Sequence, residues 1–358
     1  MKKNAKILIC YNSPVSIFTI YNGKPQENNS ANAELSPNDL SETAFAKEIV
    51  KIENSLLEHF TTVKSLAVDK NVEKAISSIN EFSPDLIFNF VESIEGISTY
   101  EYCMAGLFQL LGYDFTGNVP SCLGNCLNKE RAKNILRSHN INTPNSLIVA
   151  YSQKISEEEF KLNFPVILKL LNEDASIGIS EFSVVNNFEA FLKQLNFLQK
   201  TYKKEVIVEE YIDGRELNVA ILGNKVLPIS EIKFNTLPEG LPKIVTYDGK
   251  WMEDSVYYEN TKPVCPAELN ENLQKNIEEI ALQAFEAMNC RDYARVDIRL
   301  DKNNIPFVIE VNPNPDISTD SGFVRAAAAA GISYSGLLST IAEFALSRKK
   351  NDSQIKAG

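Results

Sequence analysis

The sequence predicts an α/β fold that opens with a parallel α/β unit and continues into mixed α and β structure. Between residues 6 and 90, short apolar runs alternate with amphipathic stretches, a β-α-β-α-β pattern that calls for a parallel sheet. From residue 206 strands dominate, ending in a hairpin over 293–311. A chain of 358 residues, 44% hydrophobic and 23% charged, is a globular composition with room for two or three domains.

The first strand is Lys6-Ile7-Leu8-Ile9-Cys10, followed by a helix over 41–60, a strand over 63–68, a helix over 72–82 and a strand over 85–90. Residues 99–111 read as one more helix, and the Gly, Pro and Asn of 112–124 mark the exit from a first domain, 1–125. Asn128 caps a helix over 129–138, and Thr143-Pro144 bars its continuation before a strand over 146–150. Ser156 and Glu159 have capping-box spacing and predict a short helix. A strand over 165–170 precedes a polar loop at 172–180, a strand at 182–185 and a helix over 188–199. Strands at 206–210, 217–222 and 226–234 lead into a connection, 236–266, whose length and prolines predict a lid or substrate loop. A helix over 267–289, the hairpin, helices over 322–330 and 335–348 and a solvated tail, 349–358, complete the chain.

The charge balance, 36 Lys+Arg against 47 Asp+Glu for a net of −11, speaks against a nucleic-acid partner. Six cysteines, Cys10, Cys103, Cys122, Cys126, Cys265 and Cys290, are too scattered for a secreted disulfide framework and fit reduced thiols in cytoplasm. Cys122 and Cys126 have no second Cys or His pair nearby in sequence, so they read as loop or core thiols ahead of zinc ligands. With only His59 and His139, catalysis by a histidine base has little material. The apolar stretch after Met1-Lys2-Lys3 ends too soon for a signal peptide, and no window approaches a membrane span, so a cytoplasmic chain with no membrane partner is expected.

Strand alternation puts Arg295, Asp297 and Arg299 on one face and Val296, Ile298 and Leu300 on the other. On the returning strand Glu310 and Asn312 share a face, opposite Ile309 and Val311. Paired in register, two carboxylates and an amide oxygen converge beside a guanidinium, the donor set Mg²⁺ takes in nucleotide sites. The alternative is a solvated face of ion pairs. Asn312-Pro313-Asn314-Pro315 ends the strand abruptly and favours the metal reading. Lys169, inside an apolar strand, needs a charged partner, either a phosphate or a carboxylate of the core. The nearby loop 173–178 has backbone N–H groups that could cover phosphates.

Together and in this order, these segments resemble the ATP-grasp superfamily, and most closely the D-alanine:D-alanine ligase family. The motifs that carry the resemblance are Pro165-Val166-Ile167-Leu168-Lys169, the run from Val208 to Gly223, Tyr247-Asp248-Gly249-Lys250-Trp251, Val264-Cys265-Pro266-Ala267, Ala294-Arg295-Val296-Asp297 and Glu310-Val311-Asn312-Pro313-Asn314-Pro315. The resemblance spans 128–346 and is fainter before it, where only the alternating pattern and Tyr113-Asp114-Phe115-Thr116-Gly117 contribute. It implies a central lobe, 126–205, and a C-terminal lobe, 206–348, as the two α+β lobes of an ATP-grasp fold.

The resemblance implies an ATP site in which Lys129, Lys169 and Lys250 reach the phosphates, Glu209, Glu210, Tyr211, Ile212 and Ile309 surround the base, and Glu216 meets the ribose. It makes Asp297, Glu310 and Asn312 the ligands of Mg²⁺, with Mn²⁺ as a substitute. Arg295 becomes the transition-state arginine, acting with Lys250 and Ser176, while Trp251, Asp316, Ser321 and Glu92 contact substrate. The implied reaction joins a carboxylate to an amine through an acylphosphate, with amino acids or short peptides as partners and a homodimer left open. The alternatives are D-alanine ligation proper and a nucleotide-binding subunit without turnover.

Departures concentrate on the substrate side. The family's early Gly/Ser/Glu segment has no match in Tyr11-Asn12-Ser13-Pro14-Val15-Ser16, and Glu92 and Glu95 stand in a replaced His-Gly region. Ala175 replaces the phosphate-loop serine, leaving Ser176, and Asp316 replaces a glycine. Trp251 stands where a tyrosine is common. Asp316 either repels a substrate carboxylate and welcomes a basic group, or caps the helix that begins near Ser321.

Overall fold

A computed structural model describes residues 2–24 and 40–355, in which the chain forms three sheets. The first is parallel, as the alternation demands: β1 (Lys3–Asn12), α1 (Leu40–Leu57), β2 (Phe60–Val68), α2 (Val72–Phe82) and β3 (Leu86–Phe90) give the order β2-β1-β3. Ile7 and Ile9 of β1 point into one apolar layer, and Leu8 and Cys10 into the other. The second layer is closed by α3 (Tyr100–Leu110). Residues 112–124 are more regular than an exit loop. Phe115 bridges Ile87, and α4 (Pro120–Leu127) begins on a proline, whose fixed φ suits a first helical residue.

Asn128 opens α5 (Lys129–Ser138) by accepting a hydrogen bond from the Arg131 N–H at 2.9 Å. Only half of the capping box forms, the N–H and hydroxyl of Ser156 both donating to the Glu159 carboxylate at 2.9 Å, and only a turn follows, because Phe164-Pro165 lies close beyond and disfavours helix before it. The second sheet is antiparallel, order β4-β7-β5-β6, from β4 (Ser146–Val149), β5 (Val166–Leu170), β6 (Val184–Val185) and β7 (Val206–Glu210), covered by α6 (Phe188–Tyr202). The strand expected at 182–185 shrinks to β6 behind a 3-10 turn. β7 pairs with β4 and β5, so a lobe boundary at 205/206 would cut through this sheet. The chain leaves it between 210 and 215.

The third sheet runs β11-β10-β8-β12-β13, with β9 on β8. Its strands are β8 (Arg215–Leu222), β9 (Lys225–Val226), β10 (Ser230–Lys233), β11 (Lys262–Val264), β12 (Tyr293–Leu300) and β13 (Pro306–Asn312). The single strand expected at 226–234 is broken at Pro228, which has no N–H for a ladder. The connection 236–266 is not irregular throughout: it holds α7 (Tyr247–Trp251), α8 (Val256–Asn260) and the edge strand β11. α9 (Glu271–Ala287), capped by Asn270, buries Ile277, Ala281 and Ala284 against β8 and β12. α10 (Gly322–Ala329) and α11 (Tyr334–Ile355) return to the first sheet. There Ala326, Ala327, Leu338 and Ile341 join the layer of Ile7 and Ile9. The expected tail is therefore helical to Ile355, and residues 356–358 lie outside the described residues. Among the described residues no single helix is long and apolar enough to cross a membrane.

Candidate active site

A cavity of about 700 Å³ lies between the second and third sheets, with the N-terminal unit as a further wall, and is large enough for a nucleotide-sized ligand. Lys129, Lys169, Ser176, Glu209, Glu210, Tyr211, Ile212, Glu216, Lys250, Trp251, Arg295, Asp297, Ile309, Glu310, Asn312, Asp316, Ser321 and Glu92 all line it. Glu95 does not; it pairs with Lys70 at 3.6 Å.

The oxygen-rich wall follows from register. Arg295 lies opposite Asn312 and Asp297 opposite Glu310, while Val296, Ile298 and Leu300 enter the core. Simple alternation fails at Ile309. Ile298 pairs with Val308, so β13 bulges, Val308 takes the core place and Ile309 turns to the cavity. Asp297 is held by Arg295 through Nε at 2.7 Å and Nη2 at 2.8 Å, and accepts from the amides of Asn218 at 2.7 Å and Asn312 at 3.0 Å. Glu310 stands 3.5 Å from Lys129. Burial would raise its pKa, but Lys129, Lys169, Lys250 and Arg295 outweigh burial and hold the carboxyl below its usual range. This face carries the Arg295–Asp297 ion pair, and the register sets Asp297 beside Glu310 on it.

Lys169 has a carboxylate of the core as partner. Its Nζ is 2.8 Å from Glu209 Oε2, and Lys133 is 3.0 Å from Oε1. Burial alone would raise the Glu209 pKa, but the two ammonium groups hold it at about 2. The Glu209 carboxylate, expected beside the base, is therefore engaged by lysines. The Glu210 carboxylate likewise accepts from Asn145 at 2.9 Å and from the Asn163 amide at 2.7 Å. Only main-chain groups of these two residues are left to face a base. Sequence reasoning passed over Lys133, although it follows Lys129 by four residues on the same face of α5.

Arg299 is another omission. Its guanidinium donates to the carbonyls of Ile212 at 2.7 Å and Gly214 at 3.1 Å and to Glu216 at 2.7 Å, fixing the turn after β7. Its place on the Asp297 face was legible, but its partners come from a turn more than eighty residues away.

The connection 236–266 is pinned at several points. Trp251 Nε1 donates to the Ala175 carbonyl at 3.2 Å, and the Ser176 hydroxyl to the Val245 carbonyl at 3.1 Å. Ala175 and Ser176 both have left-handed backbones, with φ of 53° and 61°. The segment after β1 completes the seam. Tyr21 stacks on Tyr247 with centroids 5.9 Å apart, Lys24 lies 2.7 Å from Asp248, and the Gly178 N–H donates to the Tyr21 carbonyl at 2.7 Å. A Cβ on Gly23 would sit 2.3 Å from the Gly178 carbonyl oxygen, so this approach needs glycine. Lys250 projects into the cavity. Enclosure there, with Arg295 nearby, pushes its pKa below the usual lysine range.

Acidic side chains line the cavity as well: Glu92, Glu101, Asp316 and Asp320 are among them, with Arg325 beside Asp320, while Asp174 pairs with Lys129 at 3.3 Å. Burial, with Asp174 and Glu92 nearby, raises Glu101 well above the usual carboxyl range. Asp316 does not cap α10. Its carboxylate accepts from the Ser318 N–H at 2.8 Å and the Ser318 hydroxyl at 2.9 Å, while Ser321 caps by accepting from the Val324 N–H.

Two α+β sheets facing each other across a cleft lined by lysines, a guanidinium and carboxylates have the architecture of the ATP-grasp fold. The structure aligns with D-alanine:D-alanine ligase from Bacillus anthracis, complexed with ATP, at a TM-score of 0.70 and 22% identity over 97% of this chain and 99% of that one. The family model for the D-ala D-ala ligase C-terminus matches residues 137–343. D-alanine:D-alanine ligase A of Clostridium perfringens is 32% identical over 78% of this chain and 90% of its own length. An uncharacterised protein, y4sG, of Sinorhizobium fredii is 35% identical over 73% of this chain and 74% of its own. The chain belongs to the D-alanine:D-alanine ligase family, ATP-dependent, ADP-forming enzymes that make amide bonds.

Proposed function

We propose that this enzyme joins two amino acids or short peptides, at least one bearing a cationic group, by phosphorylating a carboxylate with ATP and letting an amine displace the phosphate. The chain divides functionally into an N-terminal substrate-binding unit and two ATP-grasp lobes around the cavity, acting in cytoplasm and without nucleic acid. A homodimer fits the family. The observation that supports the reading is the lining of one cavity by Lys129, Lys169, Lys250 and Arg295 together with acidic side chains, Glu92, Glu101 and Asp316, the last two paired with none of those four cations.

Lys129, Lys169 and Lys250 bind the phosphates, and the main chain of 209–212 with Ile309 holds the base. Glu216, oriented by Arg299, takes the ribose. The donor set of Asp297, Glu310 and Asn312 fits Mg²⁺ or Mn²⁺, hard cations that take oxygen ligands. Bound there, the metal neutralises triphosphate charge. Arg295, which lines the cavity, offsets charge on the transferred phosphoryl group and on the tetrahedral carbon. The Trp251 and Ser176 contacts close the site, excluding water from a hydrolysable acylphosphate.

The test is phosphate release with ATP, magnesium and a panel of acid and amine pairs, with products identified by mass spectrometry. Release that needs both a carboxylate and an amine supports the reading. ATP binding with no release for any pair would instead identify a nucleotide-binding subunit.

A further inference from the structure

We propose that Cys122, Cys126 and Cys290 form a Zn²⁺ site that clamps α4 to the turn before β12. The three Sγ atoms lie within 4.8 Å of one another, and those of Cys122 and Cys290 are 3.5 Å apart. Zinc–thiolate bonds of about 2.3 Å at the tetrahedral angle place sulfurs roughly 3.8 Å apart. Small side-chain rotations therefore bring the trio to coordination distance. Asn118 Oδ1, 3.6 Å from Cys122 Sγ, sets a neutral oxygen beside them for a fourth position.

Cys122 and Cys126 are one helical turn apart on the same face of α4. Cys290 arrives from a distant turn, which is why the CxxxC spacing looked incomplete in sequence. All three thiols are free and belong to the apolar layer beneath α9. Thiolates in such a layer are costly alone, and a divalent cation offsets that cost. On binding, the sulfurs release their protons to solvent as the S–Zn bonds form. Hard cations of the oxygen wall do not compete, because soft sulfur donors disfavour Mg²⁺. Cys126 also lines the active cavity, and α4 leads through Asn128 into Lys129, so occupancy steadies the nucleotide end.

The experiment uses the full chain, stripped with chelator and titrated with Co²⁺ alone. A thiolate-to-cobalt charge-transfer band should saturate at one equivalent, vanish on adding Zn²⁺, and be lost in a Cys122→Ser/Cys126→Ser/Cys290→Ser variant. It should persist in Cys10→Ser/Cys103→Ser. The oxygen wall gives no thiolate band, so the outcome is independent of the ligase reading. Alkylation of the unaltered protein provides a second measurement that needs no variant: Zn²⁺ should slow labelling of these three thiols relative to the exposed Cys103. Absence of the band at excess Co²⁺, an undiminished band in the triple variant, or labelling indifferent to Zn²⁺ would overturn the proposal.

Discussion

At the scale of residues, the site is a set of charges held by opposite charges, and the consequences are specific. Asp297→Ala or Glu310→Ala should cut phosphate release by about 100-fold or more, since neutralisation of phosphate charge is lost, while circular dichroism stays unchanged. Turnover comparable to the unaltered enzyme at saturating magnesium would rule this out. Glu209 offers a pH test. Its folded pKa, about 2, lies below the ordinary value of about 4.3, so its ion pairs stabilise the protein above that ordinary value. This contribution fades as pH falls toward the folded value. Glu209→Gln should therefore destabilise by roughly 3 kcal/mol or more at neutral pH, where it leaves Lys133 and Lys169 unpaired. In chemical denaturation the gap between variant and parent should narrow below about pH 4. A gap independent of pH would show that the carboxylate charge is not what stabilises the pair.

At the scale of elements, α7 and the loop 173–178 behave as one seam. Trp251, the single tryptophan, bonds to the loop 173–178, and Tyr21 and Lys24 hold the same helix. Binding of ATP, magnesium and an acid substrate should change Trp251 fluorescence as the lid tightens or releases. A Tyr21→Ala/Lys24→Ala variant should show a larger change and faster substrate-independent ATP hydrolysis, because the lid admits water. Identical emission and hydrolysis in parent and variant would mean that the segment after β1 does not control the lid. This seam was only half legible. The prolines and length of 236–266 marked a long connection, but its helices and its N-terminal clasp are tertiary pairings.

At the scale of the whole molecule, the net charge is −11 and acidic side chains, Glu92, Glu101 and Asp316 among them, line part of the cavity; in the proposed reading this acidic wall meets substrate and the cations meet nucleotide. Glu101 sits at that wall, accepting from the Asn314 amide at 3.3 Å, and burial with neighbouring carboxylates raises its carboxyl well above the usual range. A cationic substrate would favour its ionised form. Glu101→Gln should lower kcat/KM for basic amino acids by roughly tenfold, the worth of one charge-assisted hydrogen bond, and leave neutral ones nearly unaffected. In the same assays D-alanine alone should be a poor substrate pair. D-alanyl-D-alanine formed as fast as any other product would make the acidic wall irrelevant to selection.

The sequence by itself determined the parallel N-terminal sheet, the hairpin of Arg295 and Glu310, the Asn128 cap and the lysines. These depend on periodicity and local hydrogen bonds, which extend over a few residues. Only the tertiary structure decided that Glu209 serves Lys133 and Lys169, that Arg299 braces the turn at 212–214, that β13 bulges at Ile309 and that Cys290 meets Cys122. Each is settled by groups brought together from distant segments. A buried charge takes whichever partner the packed chain delivers, and sequence spacing carries no record of that delivery.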